Sequence, residues 1–269
     1  MPLTAITREV SASINDCELS FHAREPIDLG RAIAQHKAYQ NCLAESGARV
    51  VSLPAEPKLP DAVFVEDPAV VMDEIAVISI MGAPSRRPEA SSVTEALSRY
   101  RPIKFLTAPA TLDGGDVLRI DRTVFVGLSR RTNREGVAQL SELLRPYEYR
   151  VDPVKMRGCL HLKSACSYLG NHTALVNRSW IGEQDLQEFE LLNVAEDEPG
   201  AANALLLNGV VIMPASFPKT RVRLEKCGLR VRTIDVSELQ KAEAGVTCCS
   251  LIFNDEGVTR RGAEFWKEK

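Results

Sequence analysis

Asp113-Gly114-Gly115-Asp116-Val117-Leu118-Arg119-Ile120-Asp121-Arg122-Thr123-Val124-Phe125-Val126 is the stretch from which the fold can be read. Two runs rich in aliphatic and β-branched residues, 117–120 and 123–126, flank the turn pair Asp121-Arg122 and read as a strand pair. A helix over about 134–145 follows, with Val137, Leu140, Leu143 and Leu144 on one face. The order is therefore strand, strand, helix.

Working outward, the order recurs. On the N-terminal side, 63–65, 70–72 and 75–78 read as strands with a turn at Asp73-Glu74. A helix over 92–100, carrying Val93, Ala96, Leu97 and Tyr100, and a strand over 103–106 complete that unit. On the C-terminal side a unit opens near His161, with strands 165–169 and 173–176 and a helix carrying Leu186, Phe189 and Leu192. Another opens near Asn203, with strands 204–207 and 210–213 and a helix over 220–227. The last starts at Cys248. The chain begins with a strand over 5–10, a helix over 28–46 closed by Gly47, and a strand over 49–53 ended by Pro54. In that helix Leu29, Ala32, Ile33 and Leu43 lie close to one face, and His36, on or near it, reads as a core or boundary histidine.

The strand pairs open near Glu66, Asp113, His161, Asn203 and Cys248, spaced by 47, 48, 42 and 45 residues. A period of that size marks a repeated supersecondary unit. Five such α/β units around an axis would bring their equivalent loops to one central place. Glu66, Asp67, Asp113, His161 and Cys248 would meet there. No linker or low-complexity run interrupts residues 1–269, so one domain is expected.

Composition narrows the partners. Hydrophobic residues at 45% and charged residues at 26% describe an ordinary globular chain. A net charge of -3 argues against nucleic acid, whose binders carry clustered basic charge. Nowhere do 18 apolar residues run together, so no membrane span is expected. Seven cysteines without a CxxC pair, and an N-terminus without a secretion signal, point to reduced thiols in a cytoplasm. Cys42 and Cys227 read as small apolar residues.

Cys248 and Cys249 stand at the start of the apolar run 250–253. Adjacent cysteines rarely reach disulfide geometry, so one reactive thiol beside a packed one is the better reading. A lone thiol, a lone histidine and an Asp-Gly-Gly-Asp turn each have ordinary structural explanations. At equivalent places of one repeat they combine. Cys248 as nucleophile, His161 as acid and base, and Asp113 as the group orienting His161 suit attack on a planar cationic carbon. Glu66 and Asp67 could hold a guanidinium by charge-assisted hydrogen bonds. The set requires no metal and no cofactor.

Six motifs carry a resemblance: Leu59-Pro60-Asp61-Ala62-Val63-Phe64-Val65-Glu66-Asp67, Gly82-Ala83-Pro84-Ser85-Arg86-Arg87, Leu112-Asp113-Gly114-Gly115-Asp116-Val117-Leu118, Val126-Gly127-Leu128-Ser129-Arg130-Arg131-Thr132-Asn133, Leu160-His161-Leu162-Lys163-Ser164 and Thr247-Cys248-Cys249-Ser250. In that order, over most of the chain, they resemble the dimethylarginine dimethylaminohydrolases of the guanidine-modifying superfamily. The resemblance implies the pentein fold, a five-bladed α/β propeller of pseudo-symmetric ββαβ units around a central active site. It implies Cys248 as nucleophile, with Cys249 in the neighbour's role, His161 as acid/base and Asp113 as its orienting carboxylate. Glu66 and Asp67 match the guanidinium-holding pair, and Arg86 and Arg131 the arginines on the substrate's α-carboxylate. Asp61 and Ala242 fall near the amino-acid end, and Leu19 in the loop covering the substrate. Glu243 and Ala244 replace the Asp-Gly often found before the thiol.

The implied reaction hydrolyses N-omega-methylated arginine to citrulline and a methylamine through a covalent thiouronium. The partner is a small molecule, and a homodimer is allowed. Arginine deiminase chemistry is the nearest rival. Deiminases of the superfamily usually carry His-x-Asp where this chain has His161-Leu162-Lys163, which leaves room for methyl groups. A non-catalytic binder of arginine derivatives would not need the thiol and histidine. An amidinotransferase would need an amine acceptor.

Overall fold

The computed structural model describes residues 3–182 and 184–255. The chain opens with strand β1 (Leu3–Arg8), helix α1 (Leu29–Glu45) and strand β2 (Ala48–Leu53). Helix α1 starts where the Asp28 side chain accepts the Arg31 N–H, and Gly47 follows its end at φ +94°. His36 on this helix is buried, and desolvation lowers its pKa to about 4.

The first full unit is β3 (Ala69–Val71), β4 (Ala76–Ile78), α2 (Ala90–Leu97) and β5 (Ile103–Phe105). The second is β6 (Val117–Ile120), β7 (Thr123–Leu128), α3 (Arg134–Leu144) and β8 (Arg150–Lys155). In the third, a single helical turn α4 (Leu162–Ala165) precedes β9 (Cys166–Gly170), β10 (Thr173–Val176) and β11 (Glu190–Asn193). The fourth has β12 (Leu205–Leu207), β13 (Val210–Pro214), α5 (Pro218–Lys226) and β14 (Arg230–Ile234). A short helix α6 (Ser237–Gln240) then leads to β15 (Leu251–Asn254).

Each unit forms its own three-stranded sheet. In every sheet the first two strands pair antiparallel and the second and third pair parallel. A parallel pair needs a crossover, which a helix supplies in the first, second and fourth units and turns between β10 and β11 supply in the third. The fifth sheet obeys the same rule with strands from both ends of the chain: β15 pairs antiparallel with β1, and β1 parallel with β2. The N-terminal strand–helix–strand is thus the remainder of the fifth unit.

Burial closes the ring. Val77, Val117, Val124 and Leu140 join the first and second units, and Leu118, Phe125 and Ala174 the second and third. Leu175, Val211 and Leu224 join third to fourth, and Leu207, Ile212, Tyr39 and Leu43 fourth to fifth. Ile6, Leu251, Phe253 and Ile78 then join fifth to first. This is the five-bladed α/β propeller expected from the repeat. A cavity of about 400 Å³ lies among the first strands β3, β6, β9, β12 and β15. No helix of the described residues is long and apolar enough to cross a membrane.

Three expectations change. Residues 63–65 are not a strand but turns, with Phe64 N–H on Asp61 O. Their apolar character serves burial, since Val63, Phe64 and Val65 all lie in core clusters. No helix carries Leu186, Phe189 and Leu192. Leu186 has φ +64°, Phe189 N–H closes a turn on Leu186 O, and Leu192 belongs to β11. Phe189 instead packs edge-on against Phe125 and Tyr168. Finally, Cys42 is buried as expected, whereas Cys227 is exposed at the end of α5.

Candidate active site

The loops entering the first strand of every blade meet at one end of the propeller and are tied to one another in a ring. Glu66 N donates to Cys248 O at 3.2 Å, and Gly114 N to Asp67 O at 2.9 Å. His161 Nε2 meets Asp113 Oδ2 at 3.1 Å. Asn203 Nδ2 donates to Lys163 O at 2.9 Å, and Thr247 N to Asn203 Oδ1 at 3.1 Å, which returns to the loop of Cys248. Five loops far apart in sequence thus satisfy one another's polar groups, as buried backbone requires.

Asp113, His161 and Asp67 are all buried. Asp113 is fixed from both sides: its Oδ1 accepts Gly82 N at 2.8 Å, and its own N–H donates to Thr132 Oγ1 at 3.1 Å. Gly115 is needed because a Cβ there would stand 2.5 Å from His161 Nδ1. Burial alone would make His161 less basic, but the charges of Asp67 and Asp116 and the Asp113 bond outweigh it and raise its pKa to about 9. The imidazole is therefore cationic at neutral pH. Asp67 is likewise opposed by burial, yet His161, Arg86 and the Gly115 N–H hold it down at about 2. The ligand-type atoms of Asp67, Asp113 and His161 lie within 4.8 Å of one another. Arg86 on Asp67 and the His161–Asp113 bond already use them.

The two adjacent thiols separate. Cys249 is 1% exposed and packs in the core, whereas Cys248 lines a cleft with His161, Asp61, Asp67, Arg86, Arg131, Ala242 and Glu243. Burial, with the charges of Glu66 and Asp67, pushes the Cys248 thiol up to about 12. Against this act the Gly245 N–H, 3.4 Å from Sγ, and Thr247. The resting pair is thus a neutral thiol and an imidazolium. A cation brought beside the sulfur would favour the thiolate.

Of the two arginines, Arg131 leaves its buried Nη1 without a hydrogen-bond partner, 3.9 Å from Asp113 Oδ2. A buried donor without an acceptor is costly, so this group is suited to an incoming carboxylate. Arg86 also reaches the cleft, but Asp67 (2.6 Å) and Glu89 (2.9 and 3.0 Å) take its guanidinium. Asp61 lies in the cleft wall, where burial raises its pKa. Glu66 stands at the rear: Lys163 Nζ (2.5 Å) and Thr247 Oγ1 (3.0 Å) occupy its carboxylate, which faces the central cavity rather than the cleft. Leu19 is half-buried against the same core cluster as Cys248.

Four positioning groups were not singled out by the sequence. Buried Asp116 accepts Ser129 Oγ (2.6 Å), Thr132 Oγ1 (2.7 Å) and Leu162 N (2.9 Å), so one carboxylate fixes both the Arg131 loop and the residue after His161. Burial raises its pKa to about 6. Tyr39 donates to Val246 O and meets Ser250 Oγ, both at 2.7 Å, bracing the cysteine loop from α1. Glu89 holds Arg86. Asn203 was located only as the opening of the fourth unit, and its role follows from that position in the ring.

The chain is similar to known proteins along nearly its whole length. The family model described as N,N dimethylarginine dimethylhydrolase, eukaryotic, matches residues 2–251. The chain is 34% identical to an N(G),N(G)-dimethylarginine dimethylaminohydrolase of Pseudomonas aeruginosa, covering 92% of this chain and 98% of the relative. It is 36% identical to the protein of that name from Streptomyces coelicolor, over 92% and 95% of the two chains. A solved structure of the Pseudomonas aeruginosa enzyme, a cysteine-to-serine mutant complexed with citrulline, superposes with a TM-score of 0.89 at 32% identity, covering 94% of this chain and all of that one. By its fold, the match along its length and its close relatives, this chain belongs to the N,N-dimethylarginine dimethylhydrolase family.

Proposed function

We propose that this protein hydrolyses N-omega-methylated L-arginine, asymmetric dimethylarginine and monomethylarginine, to L-citrulline and the methylamine. The observation that carries the proposal is one cleft holding the Cys248 thiol beside an imidazolium fixed by Asp113.

The substrate's guanidinium enters next to Cys248, against Asp67. Its charge offsets the carboxylates that hold the thiol protonated, and the thiol proton passes to solvent as the thiolate forms. Sulfur attacks the guanidinium carbon, forming a C–S bond. His161, already protonated, gives its proton to the alkylated nitrogen as the C–N bond breaks, and the amine leaves. His161, now neutral, takes a proton from water. The hydroxide adds to the thiouronium carbon, the C–S bond breaks as the added hydroxyl loses its proton to solvent, and citrulline and the thiolate remain. Arg131 holds the α-carboxylate and Asp61 the α-ammonium, with Ala242 in the wall and Leu19 in the cover.

The absence of a further carboxylate two residues after His161 favours alkylated substrates over arginine. Where a deiminase usually carries a further carboxylate, this chain has a cation that pairs with Glu66. One charge fewer is left for an unmethylated guanidinium, and pocket shape alone discriminates a methyl group by only about 1–3 kcal/mol. We extend the reading to a single catalytic domain in a reducing cytoplasm, supported by seven unpaired cysteines. The cleft is built from one chain, so a homodimer is compatible with it but not required.

The test is to supply asymmetric dimethylarginine, monomethylarginine and arginine in parallel and measure citrulline and amine. Equimolar citrulline and dimethylamine from the dimethylated substrate support the reading. Citrulline from arginine alone would move the protein to deiminase chemistry, and dependence on an added amine to amidino transfer.

A further inference from the structure

Glu243 is a carboxylate at the cleft that the chemistry above leaves without a task. It stands between Ala242 in the cleft wall and the Gly245 N–H that faces Cys248 Sγ, with its backbone at φ +58°. Its side chain crosses to the segment 18–22 near the other end of the sequence. There its oxygens accept the N–H groups of Ser20 (2.9 and 3.0 Å), Phe21 (2.5 Å) and His22 (2.6 Å). Three successive backbone donors converging on one carboxylate form an anion-holding nest.

The segment has other fastenings, and two of them use groups the substrate needs. Glu18 N–H rests on Asp61 (3.1 and 3.3 Å), and Ser20 Oγ accepts from Arg131 Nη2 (3.4 Å). A third, Ser85 Oγ on Glu18 Oε1, is exposed. With the segment down, the cleft encloses about 20 Å³, room for little more than a water, so an arginine derivative enters only after it lifts. A bound amino acid then competes for Asp61 and Arg131. It does not compete for Glu243, whose carboxylate is already taken by the segment's backbone.

We infer that Glu243 is a positioning residue: it latches residues 18–22, and with them Leu19, over the bound substrate by contacts that the substrate leaves intact. The loss of Asp61 and Arg131 as partners is taken from the proposed function, and the latch itself from the hydrogen bonds. Its length matters. Aspartate, one methylene shorter, would not span to all three amides without moving the loop of Cys248.

The experiment is hydrogen exchange at the amides of Ser20, Phe21 and His22 in the full-length protein, with and without citrulline, for wild type, Glu243→Gln and Glu243→Ala. Steady-state kinetics on asymmetric dimethylarginine accompany it. The latch predicts exchange at least about tenfold faster in Glu243→Ala, free and with citrulline, while amides of β6 and β7 keep wild-type rates. It predicts KM raised about tenfold and kcat changed less than about threefold, with Glu243→Gln in between. Wild-type exchange at the three amides in Glu243→Ala overturns it. If β6 and β7 also exchange faster in Glu243→Ala, the isosteric Glu243→Gln decides, by the same criterion, whether faster exchange is confined to residues 20–22. If citrulline alters exchange in no variant, the substrate reading fails, and the latch is still decided on the free protein.

Discussion

His161 Nε2 lies 3.1 Å from Asp113 Oδ2 although 48 residues separate them in sequence. The contact is also a joint between two blades, because each residue enters the first strand of its own sheet. The proposed catalytic geometry and propeller closure therefore rest on the same bonds. The third and fourth loops are joined in the same way, by Asn203 on Lys163 O, and the fourth and fifth by Thr247 on Asn203.

Asp113→Asn keeps the shape of this joint but removes the charge that helps hold the imidazole protonated. We expect kcat to fall by about 10²–10⁴, the range that acid–base catalysis supplies, with KM changed far less. Steady-state kinetics check this. A fall in kcat below about fivefold would show that Asp113 only fills space.

The resting protonation states predict an unusual pH profile. Cys248, at about 12, carries its proton through neutral pH, and His161 holds its own up to about 9. The active thiolate–imidazolium form therefore grows as pH rises. We expect kcat/KM to climb about tenfold per pH unit from pH 6 and to level near 9, where His161 begins to lose the proton that the leaving amine requires. Ultraviolet titration of the thiolate, with Cys248→Ser as the blank, should show no step below about pH 10 in the free protein. A step near 7 would contradict the account.

Gly245 and Asn203 should behave as one unit. A Cβ at Gly245 would stand 2.1 Å from Asn203 Oδ1, and Gly245 carries the N–H directed at Cys248 Sγ. Gly245→Ala alone should cost at least about tenfold in kcat/KM, and Asn203→Ala in the same chain should recover part of that loss. A double-mutant cycle measures the coupling. Strict additivity would mean that Asn203 does not set the position of the cysteine loop.

Much of this was legible in the sequence because the first two strands of each unit are apolar and buried. Val117–Ile120 and Thr123–Leu128 announce a hairpin, and their recurrence located every loop of the ring. The third strands were harder. β8 reads Arg-Val-Asp-Pro-Val-Lys and β14 Arg-Val-Arg-Thr-Ile, edge strands whose polar residues hide their pattern. Leu186, Phe189 and Leu192 imitate helical spacing, but Phe189 packs on Phe125 of β7 and Tyr168 of β9 while Leu192 lies in β11 against a different core cluster from Leu186. In the site, Cys248, His161 and Asp113 could be named from position. Tyr39 and Asp116 could not, because a buried tyrosine and a turn aspartate acquire their tasks only from partners distant in sequence.

His161 also links catalysis to stability. Its folded pKa of about 9 exceeds the ordinary 6.5, so between these values the folded chain holds a proton that the unfolded chain has released. This contribution is fully present below about pH 6.5 and is lost as pH rises through 9. In His161→Gln the melting temperature should fall less steeply over that window than in wild type. Parallel curves would show that His161 is not protonated in the folded state.

The most direct test of the central claim is to trap the covalent intermediate. His161→Gln removes both the acid that the leaving amine requires and the base that activates water, so an S-alkyl thiocitrulline, whose thiolate leaves without that proton, should form a thiouronium that accumulates. Acid-quenched protein is analysed by intact mass, in this background and with Cys248→Ser or Cys249→Ser added. The account predicts an adduct in His161→Gln, its persistence with Cys249→Ser and its disappearance with Cys248→Ser. An adduct that survives Cys248→Ser and vanishes with Cys249→Ser would contradict it.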